Sequence, residues 1–381
     1  MKKRTLLKKW TKFTAYLAAI GFLLSGFCIY VSEIPILYSC RPGEEPAGSA
    51  FYTIEPKQTE TEPYTAKVKL FGLLPIKDAT VREIEQKQLI VLGAPFGTKL
   101  YTKGVIVVQA EEDSPAAAAG IRAGDVILSY NNVTVTSNEA LAKQVNRCEG
   151  GSQTAVVQRN ERTQTVQITP AKTESGWSIG LWVRDSAAGL GTLTYYDPAT
   201  NTVAGLGHSI TDVDTGRTMP IQSGSLVTAT VHGVRIGEAG NPGELLGSLN
   251  DTTIGTLTAN TECGLFGTAD YDFSGVSYPI ALKDEIEVGE AQILCTVAGT
   301  TPKAYTIRIT EVRNNLSETR NLCIQVTDPE LLAATGGIVQ GMSGSPILQN
   351  GKLIGAVTHV LLNDPTSGYG IFIENMLEAA G

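Results

Sequence analysis

The sequence predicts a mostly β chain: a membrane-spanning N-terminal helix, a small α+β module, and a larger antiparallel β domain. Three observations predict it. Residues 13–31 carry no charge and follow a tail holding Lys2, Lys3, Arg4, Lys8, Lys9 and Lys12. Between residues 80 and 172, β-branched strands alternate with an alanine-rich segment and an amphipathic helical pattern. From residue 173 to the end, short runs of Val, Ile and Thr recur between glycine turns, and long helical patterns are nearly absent.

A chain of 381 residues has room for two compact domains and an anchor. The net charge is −8, and the positives of the tail make the remainder more acidic still. An acidic body excludes a nucleic-acid partner, which needs a clustered basic face. The six cysteines show no C-x-x-C pair, and with three histidines in the chain no metal site or cofactor is expected. Cys28 lies in the apolar stretch and five cysteines lie outside it, so they read mostly as buried thiols.

The uncharged stretch 13–31 is close to the roughly 20 apolar residues a helix needs to cross a bilayer. Its basic flank, residues 1–12, places the N-terminus in the cytosol and the body outside it. The rival is a cleaved export signal, whose apolar region is shorter, about 7–15 residues, and ends in small residues. Cys28-Ile29-Tyr30-Val31 fits that pattern poorly, so a single-pass anchor is expected. Residues 32–79, rich in Pro, Gly, Glu and Thr, read as an exposed linker and a plausible processing site.

In the first module, residues 80–172, Val105–Val108 reads as a strand. Ser114 then caps a short helix with Pro115 at its first position. Gly120 ends that helix, and Gly124-Asp125 turns into a strand from Val126. A second helix is expected near 138–147. The block SPAAAAGIRAGDVI resembles a PDZ domain of the bacterial protease type. Phe96-Gly97-Thr98 resembles the loop that would hold a peptide's terminal carboxylate on backbone N–H groups beside a strand edge. The partners implied are protein and peptide termini. Phe96 reads equally well as a core aromatic.

The second domain, residues 173–381, contains Gly341-Met342-Ser343-Gly344-Ser345-Pro346, then two apolar strands joined by Asn350-Gly351, a strong hairpin turn. This block resembles the nucleophile loop of chymotrypsin-like serine proteases, which implies a two-barrel antiparallel β fold. Ser343 is the candidate nucleophile, with Ser345 its rival. The backbone N–H groups of Gly341 and Ser343 are the candidate oxyanion hole. A serine hydroxyl needs a base. His208, in the glycine-flanked loop AGLGHSITD, is preferred over His359 and over His232, which falls inside an apparent strand. For the acid that orients the base, Asp328, Asp212, Asp214, Asp251 and Asp364 stay open.

The blocks RDSAAGLGTLTYYDP, GLGHSITDVDTG, VTDPELLAATGGIVQGMSGSPILQNGKLIGAVTHV and NDPTSGYGIFIE resemble the stage IV sporulation protein B peptidases of endospore-forming bacteria. The order anchor, PDZ, protease also matches. The resemblance implies a catalytic set of Ser343, His208 and Asp328. It implies a self-cleaving enzyme, exported to the space between the forespore membranes, that cuts a membrane-bound regulator and so triggers intramembrane processing of a late sigma factor. The alternatives are a non-catalytic PDZ scaffold and a general envelope quality-control protease.

Overall fold

The computed structural model describes residues 18–22, 24–57, 63–160, 162–314 and 319–381. The chain divides into two compact units, residues 1–86 and 87–381. The basic tail 1–12 and the start of the expected anchor lie outside the described residues. Residues 24–33 are helical, and Phe22, Leu24, Phe27 and Ile29 are exposed. Among the described residues no helix is long and apolar enough to cross a membrane.

The expected linker 32–79 is corrected by the structure. Strands β1 (Leu37–Cys40), β2 (Tyr52–Pro56), β3 (Tyr64–Leu70) and β4 (Leu74–Glu83) form a four-stranded sheet in the order β1-β4-β3-β2. Its own core is Tyr38, Ile54, Ala66, Val68, Ala79 and Val81. Alternation is the cause: Ala66 and Val68, like Ala79 and Val81, sit two residues apart and turn to one face. Residues 58–62 of the expected linker lie outside the described residues.

The second unit starts with β5 (Gln88–Val91) and the long β6 (Pro95–Ala110). Beyond β6 come α1 (Pro115–Ala118), β7 (Val126–Tyr130), β8 (Val133–Thr134), α2 (Asn138–Arg147), β9 (Gln153–Arg159) and β10 (Arg162–Ile168). Ser114 accepts from Ala117 N at the start of α1, with Pro115 next to it, as the sequence predicts. Ser137 caps α2 in the same way through Ala140 N. The module's core is Val105, Ile127, Leu141, Val145 and Val157. Buried Asp125 accepts from Arg159 Nε at 2.7 Å and Nη2 at 2.6 Å, and from Arg122 N at 3.0 Å.

A small hairpin, β11 (Ala171–Thr173) and β12 (Gly176–Ser178), leads to β13 (Leu181–Asp197). Then follow β14 (Thr202–Gly205), β15 (Ile221–Arg235), β16 (Glu244–Thr261), β17 (Gly264–Ala269) and β18 (Ser277–Pro279). Strand β6 pairs with both β15 and β13, so β6-β15-β16-β17-β14-β13 closes into a ring of six. Phe96, Leu100, Leu193, Leu226 and Leu265 fill it. The second barrel is β19 (Gly289–Cys295), β20 (Lys303–Val312), β21 (Leu322–Val326), β22 (Pro346–Gln349), β23 (Lys352–Leu361) and β24 (Asp364–Phe372), closed in the order β19-β20-β21-β24-β23-β22. Ile293, Ile307, Ile324, Ile347 and Phe372 pack inside it. Helix α3 (Pro329–Thr335) joins β21 to the loop before β22, and α4 (Ile373–Ala380) ends the chain.

The expected boundary at 172/173 lies in the β11–β12 hairpin, between the small module and β13, while β6 pairs into both domains. The chain enters the first barrel at the start of β6, leaves it halfway along that strand, builds the small module, and re-enters through β13, whose far end also pairs with β5. The alternation of buried Phe96, Thr98, Leu100 and Thr102 breaks at the buried run 104–107, where β6 passes from the barrel to the small module. The Asn350-Gly351 turn has φ of 51° and 74°, the left-handed pair that a tight two-residue hairpin requires.

Candidate active site

The loop before β22 carries Ser343, and strand β13 of the first barrel holds it. Thr192 N donates to Ser343 O at 3.0 Å, Thr192 Oγ1 to Gly341 O at 2.8 Å, and Thr194 Oγ1 to Gly344 O at 2.7 Å. Leu245 N donates to Gln340 O at 2.8 Å. A planar peptide sets its two dipoles in opposite directions, so this bond aims the Gly341 N–H away from β16. Among the described residues, the N–H groups of Gly341 and Ser343 have no acceptor. Two unpaired, fixed donors beside a hydroxyl are the arrangement an oxyanion needs. The rival Ser345 is fully buried and donates to Met342 O at 2.6 Å, which removes it as a nucleophile.

His208 follows β14 across two left-handed residues, Leu206 (φ 66°) and Gly207 (φ 68°), which swing the chain from the strand into a loop. His208 and Ser343 line one cleft of about 470 Å³, together with Leu190, Thr358, His359 and Val360. Ser343 Oγ donates to Thr358 O at 2.8 Å, so in this state the hydroxyl rests on the wall of the cleft and does not bond His208. Serine χ1 has staggered wells roughly 120° apart, so the hydroxyl has other rotamers besides this one. His208 Nδ1 lies 2.9 Å from Ser209 O. A carbonyl only accepts, so Nδ1 carries the proton and Nε2 keeps its lone pair.

Burial holds the His208 pKa below its ordinary value, against the opposing pull of Ser209 O. The base is therefore neutral at pH 7. The rate at which a serine-directed fluorophosphonate labels Ser343 is expected to hold at neutral pH and fall as pH drops through a midpoint below 6.5. A midpoint above 7 contradicts this environment. His359, whose ring centroid is 5.2 Å from that of His208, is pushed down to about 4 by burial, then by His208 and Arg320. It stays neutral in the same range and forms a wall of the cleft. His232 Nε2 bonds Ser248 Oγ at 2.8 Å on the barrel surface, away from this cleft.

The structure does not bring Asp328 to His208. Its side chain is the N-cap of α3: Oδ1 accepts from Glu330 N at 2.9 Å and Leu331 N at 3.1 Å, and Oδ2 from Thr306 N at 3.2 Å. A T-D-P-E sequence ahead of an apolar run is a helix start, and the carboxylate serves it. The other aspartates are also occupied. Asp212 is buried on Arg184 and Thr215, Asp214 pairs with Arg184 at 2.7 Å, Asp364 bonds Thr366 and Ser367, and exposed Asp251 faces Lys99. Asp328→Ala is expected to cost about 1–2 kcal/mol of stability by denaturant unfolding while fluorophosphonate labelling of Ser343 survives.

Phe96-Gly97-Thr98 is corrected too. Phe96 is fully buried in the first barrel, and Thr98 is buried beside it. All three pair with β13 on one side and β15 on the other, so no strand edge is free for a peptide. The residues that sequence reasoning missed are the clamps, Thr192 and Thr194. They lie about 150 positions from the loop they hold, and no local signal marks them. All six cysteines are free thiols.

The family model described as SpoIVB peptidase S55 matches residues 175–377, and a PDZ domain model matches residues 82–169. A probable periplasmic serine endoprotease DegP-like of Brucella suis biovar 1 is 37% identical over 117 residues, 29% of this chain and 23% of the relative. The corresponding Pseudomonas putida protein is 27% identical over 163 residues, 42% of this chain and 32% of the relative. The matches thus span less than a third of either relative. Among solved structures, the Rv3671c protease from M. tuberculosis in its active form is 14% identical, with 51% of this chain and 73% of that one covered and a TM-score of 0.30.

Proposed function

The chain belongs to the SpoIVB peptidase S55 family, and from that premise we propose that Ser343 is the nucleophile of this serine endopeptidase and His208 its general base. One observation carries the assignment: hydroxyl, imidazole and two unpaired N–H groups meet in a single cleft between the two barrels. Ser343 Oγ attacks the scissile carbonyl and passes its proton to His208 Nε2. The oxyanion falls on the N–H groups of Gly341 and Ser343. His208 then protonates the leaving amine, and a water repeats the sequence on the acyl-enzyme.

The biological reading follows the family motifs of this sequence. The enzyme is anchored by residues 13–31 with its body outside the cytosol, and cleaves itself and a membrane-bound regulator during sporulation. That cut triggers intramembrane processing of a late sigma factor. Exposed Phe22, Leu24, Phe27 and Ile29 on a helical segment support the anchor. The PDZ module supplies peptide recognition through a surface other than Phe96–Thr98. The test is to label the full-length protein with a fluorophosphonate, map the adduct, and map any self-cleavage site by mass spectrometry. An adduct on Ser343 is expected. No adduct in a folded preparation favours a non-catalytic scaffold.

A further inference from the structure

With no aspartate on His208, something else must fix its ring. We propose that the Ser209 main-chain carbonyl orients His208 and that Asn260 is the positioning residue that holds this carbonyl in place. The proposal rests on His208 being the general base.

The geometry runs through one peptide plane. Ser209 C=O and Ile210 N–H are the two ends of the same planar unit and point in opposite directions. His208 Nδ1 donates to the carbonyl end at 2.9 Å. Asn260 Oδ1 accepts from the N–H end at 2.7 Å. The side chain of Asn260 therefore sets the tilt of the plane on which the imidazole rests. Bonds in such a chain also polarise one another, which strengthens the Nδ1 contact.

Asn260 does more than touch that plane. Its Nδ2 donates to Ile210 O at 2.9 Å and to Met219 O at 3.0 Å. Ile210 O also accepts from Met219 N at 3.0 Å. These bonds close the neck of the 210–219 loop, which begins two residues after His208. Within the loop, Asp212 N donates to Arg217 O at 2.8 Å and Gly216 N to Asp212 O at 2.8 Å, so it is a rigid unit held at its base. Asn260 stands at the end of β16, a wall strand of the first barrel, and one amide uses both its acceptor and its two donors there. Asp cannot replace it without setting carboxylate oxygen against two carbonyls.

The test uses full-length protein and a fluorophosphonate, with inactivation split into an affinity constant KI and a limiting rate kinact. Asn260→Ala is expected to lower kinact by about 10–10²-fold and leave KI within about twofold. Asp328→Asn is expected to keep kinact within about threefold of the parent. A purely structural role for Asn260 would reduce the fraction of protein that labels and leave kinact of the remainder unchanged; that result overturns the proposal. A second measurement does not depend on the variant folding. The ¹⁵N spectrum of histidine-labelled parent protein, with His208→Gln to assign the signal, is expected to show His208 protonated on Nδ1 at neutral pH. Protonation on Nε2 overturns the proposal even if Asn260→Ala is slow. If the parent itself gives no Ser343 adduct, the peptidase reading fails, and the tautomer still decides whether the Ser209 carbonyl orients the ring.

Discussion

Ser343→Ala is expected to lower peptide-bond hydrolysis by about 10⁶-fold and leave the fold in place. The two halves of that statement have separate causes. Ser343 Oγ shares the cleft with His208 and stands beside the two unpaired N–H donors, whereas Ser345 is fully buried and committed to Met342 O. What the loop needs for its shape comes from backbone and from threonines: Thr192 N to Ser343 O, Thr192 Oγ1 to Gly341 O, Thr194 Oγ1 to Gly344 O. Removing Oγ takes away one hydrogen bond, to Thr358 O, at the edge of the cleft. That is worth about 1 kcal/mol. The variant should therefore unfold at nearly the parental denaturant concentration while product release, followed by mass spectrometry, stops. The double variant with His208→Ala is expected to be no slower than either single one, because nucleophile and base act as a unit. A Ser343→Ala protein that still cuts at the parental site would move the nucleophile elsewhere.

The parts of this site that show in the sequence are those whose chemistry constrains neighbouring positions. Gly341, Ser343, Gly344 and Pro346 stand within one turn because a hydroxyl and its oxyanion donors come from the same few peptides. Asn350-Gly351 declares its hairpin because both residues must take positive φ. His208 is legible because Leu206 and Gly207 turn the chain out of β14. Asp328 misleads for a related reason. Its motif is also strongly constrained, but by the start of α3, and a capped helix and a catalytic carboxylate both present an aspartate at a strand end. Phe96-Gly97-Thr98 misleads because a glycine inside a strand looks like a loop glycine until its neighbours are known; here Leu249 and Val227 close on Gly97 and leave no room for a side chain. Thr192, Thr194 and Asn260 act through side-chain bonds to segments distant in sequence. Nothing adjacent to them is forced to change, so they stay silent in the sequence.

Gly344→Ala is expected to damage stability and catalysis together. Gly344 has φ +95°, a region that costs an L residue about 1–2 kcal/mol. An added Cβ would stand 1.9 Å from Thr192 O and 2.5 Å from Leu206 N. Both are backbone atoms of the first barrel, and neither can rotate aside as a long side chain does. Either β13 or the nucleophile loop has to move, at a further cost of about 1–3 kcal/mol for overpacking. Thr192 is the residue that holds Ser343 O and Gly341 O, so any displacement there turns the two oxyanion donors off target. Losing one such donor typically costs about 2.7–4 kcal/mol of transition-state stabilisation. Gly351→Ala supplies the comparison: its φ is +74° but a Cβ there meets nothing within 4 Å. The Gly351 variant should lose only the conformational cost and keep its Ser343 labelling rate. The Gly344 variant should lose more stability and label at least about 10²-fold more slowly. Equal labelling by the two variants would mean that close packing of β13 on the nucleophile loop does not set the geometry of the oxyanion hole.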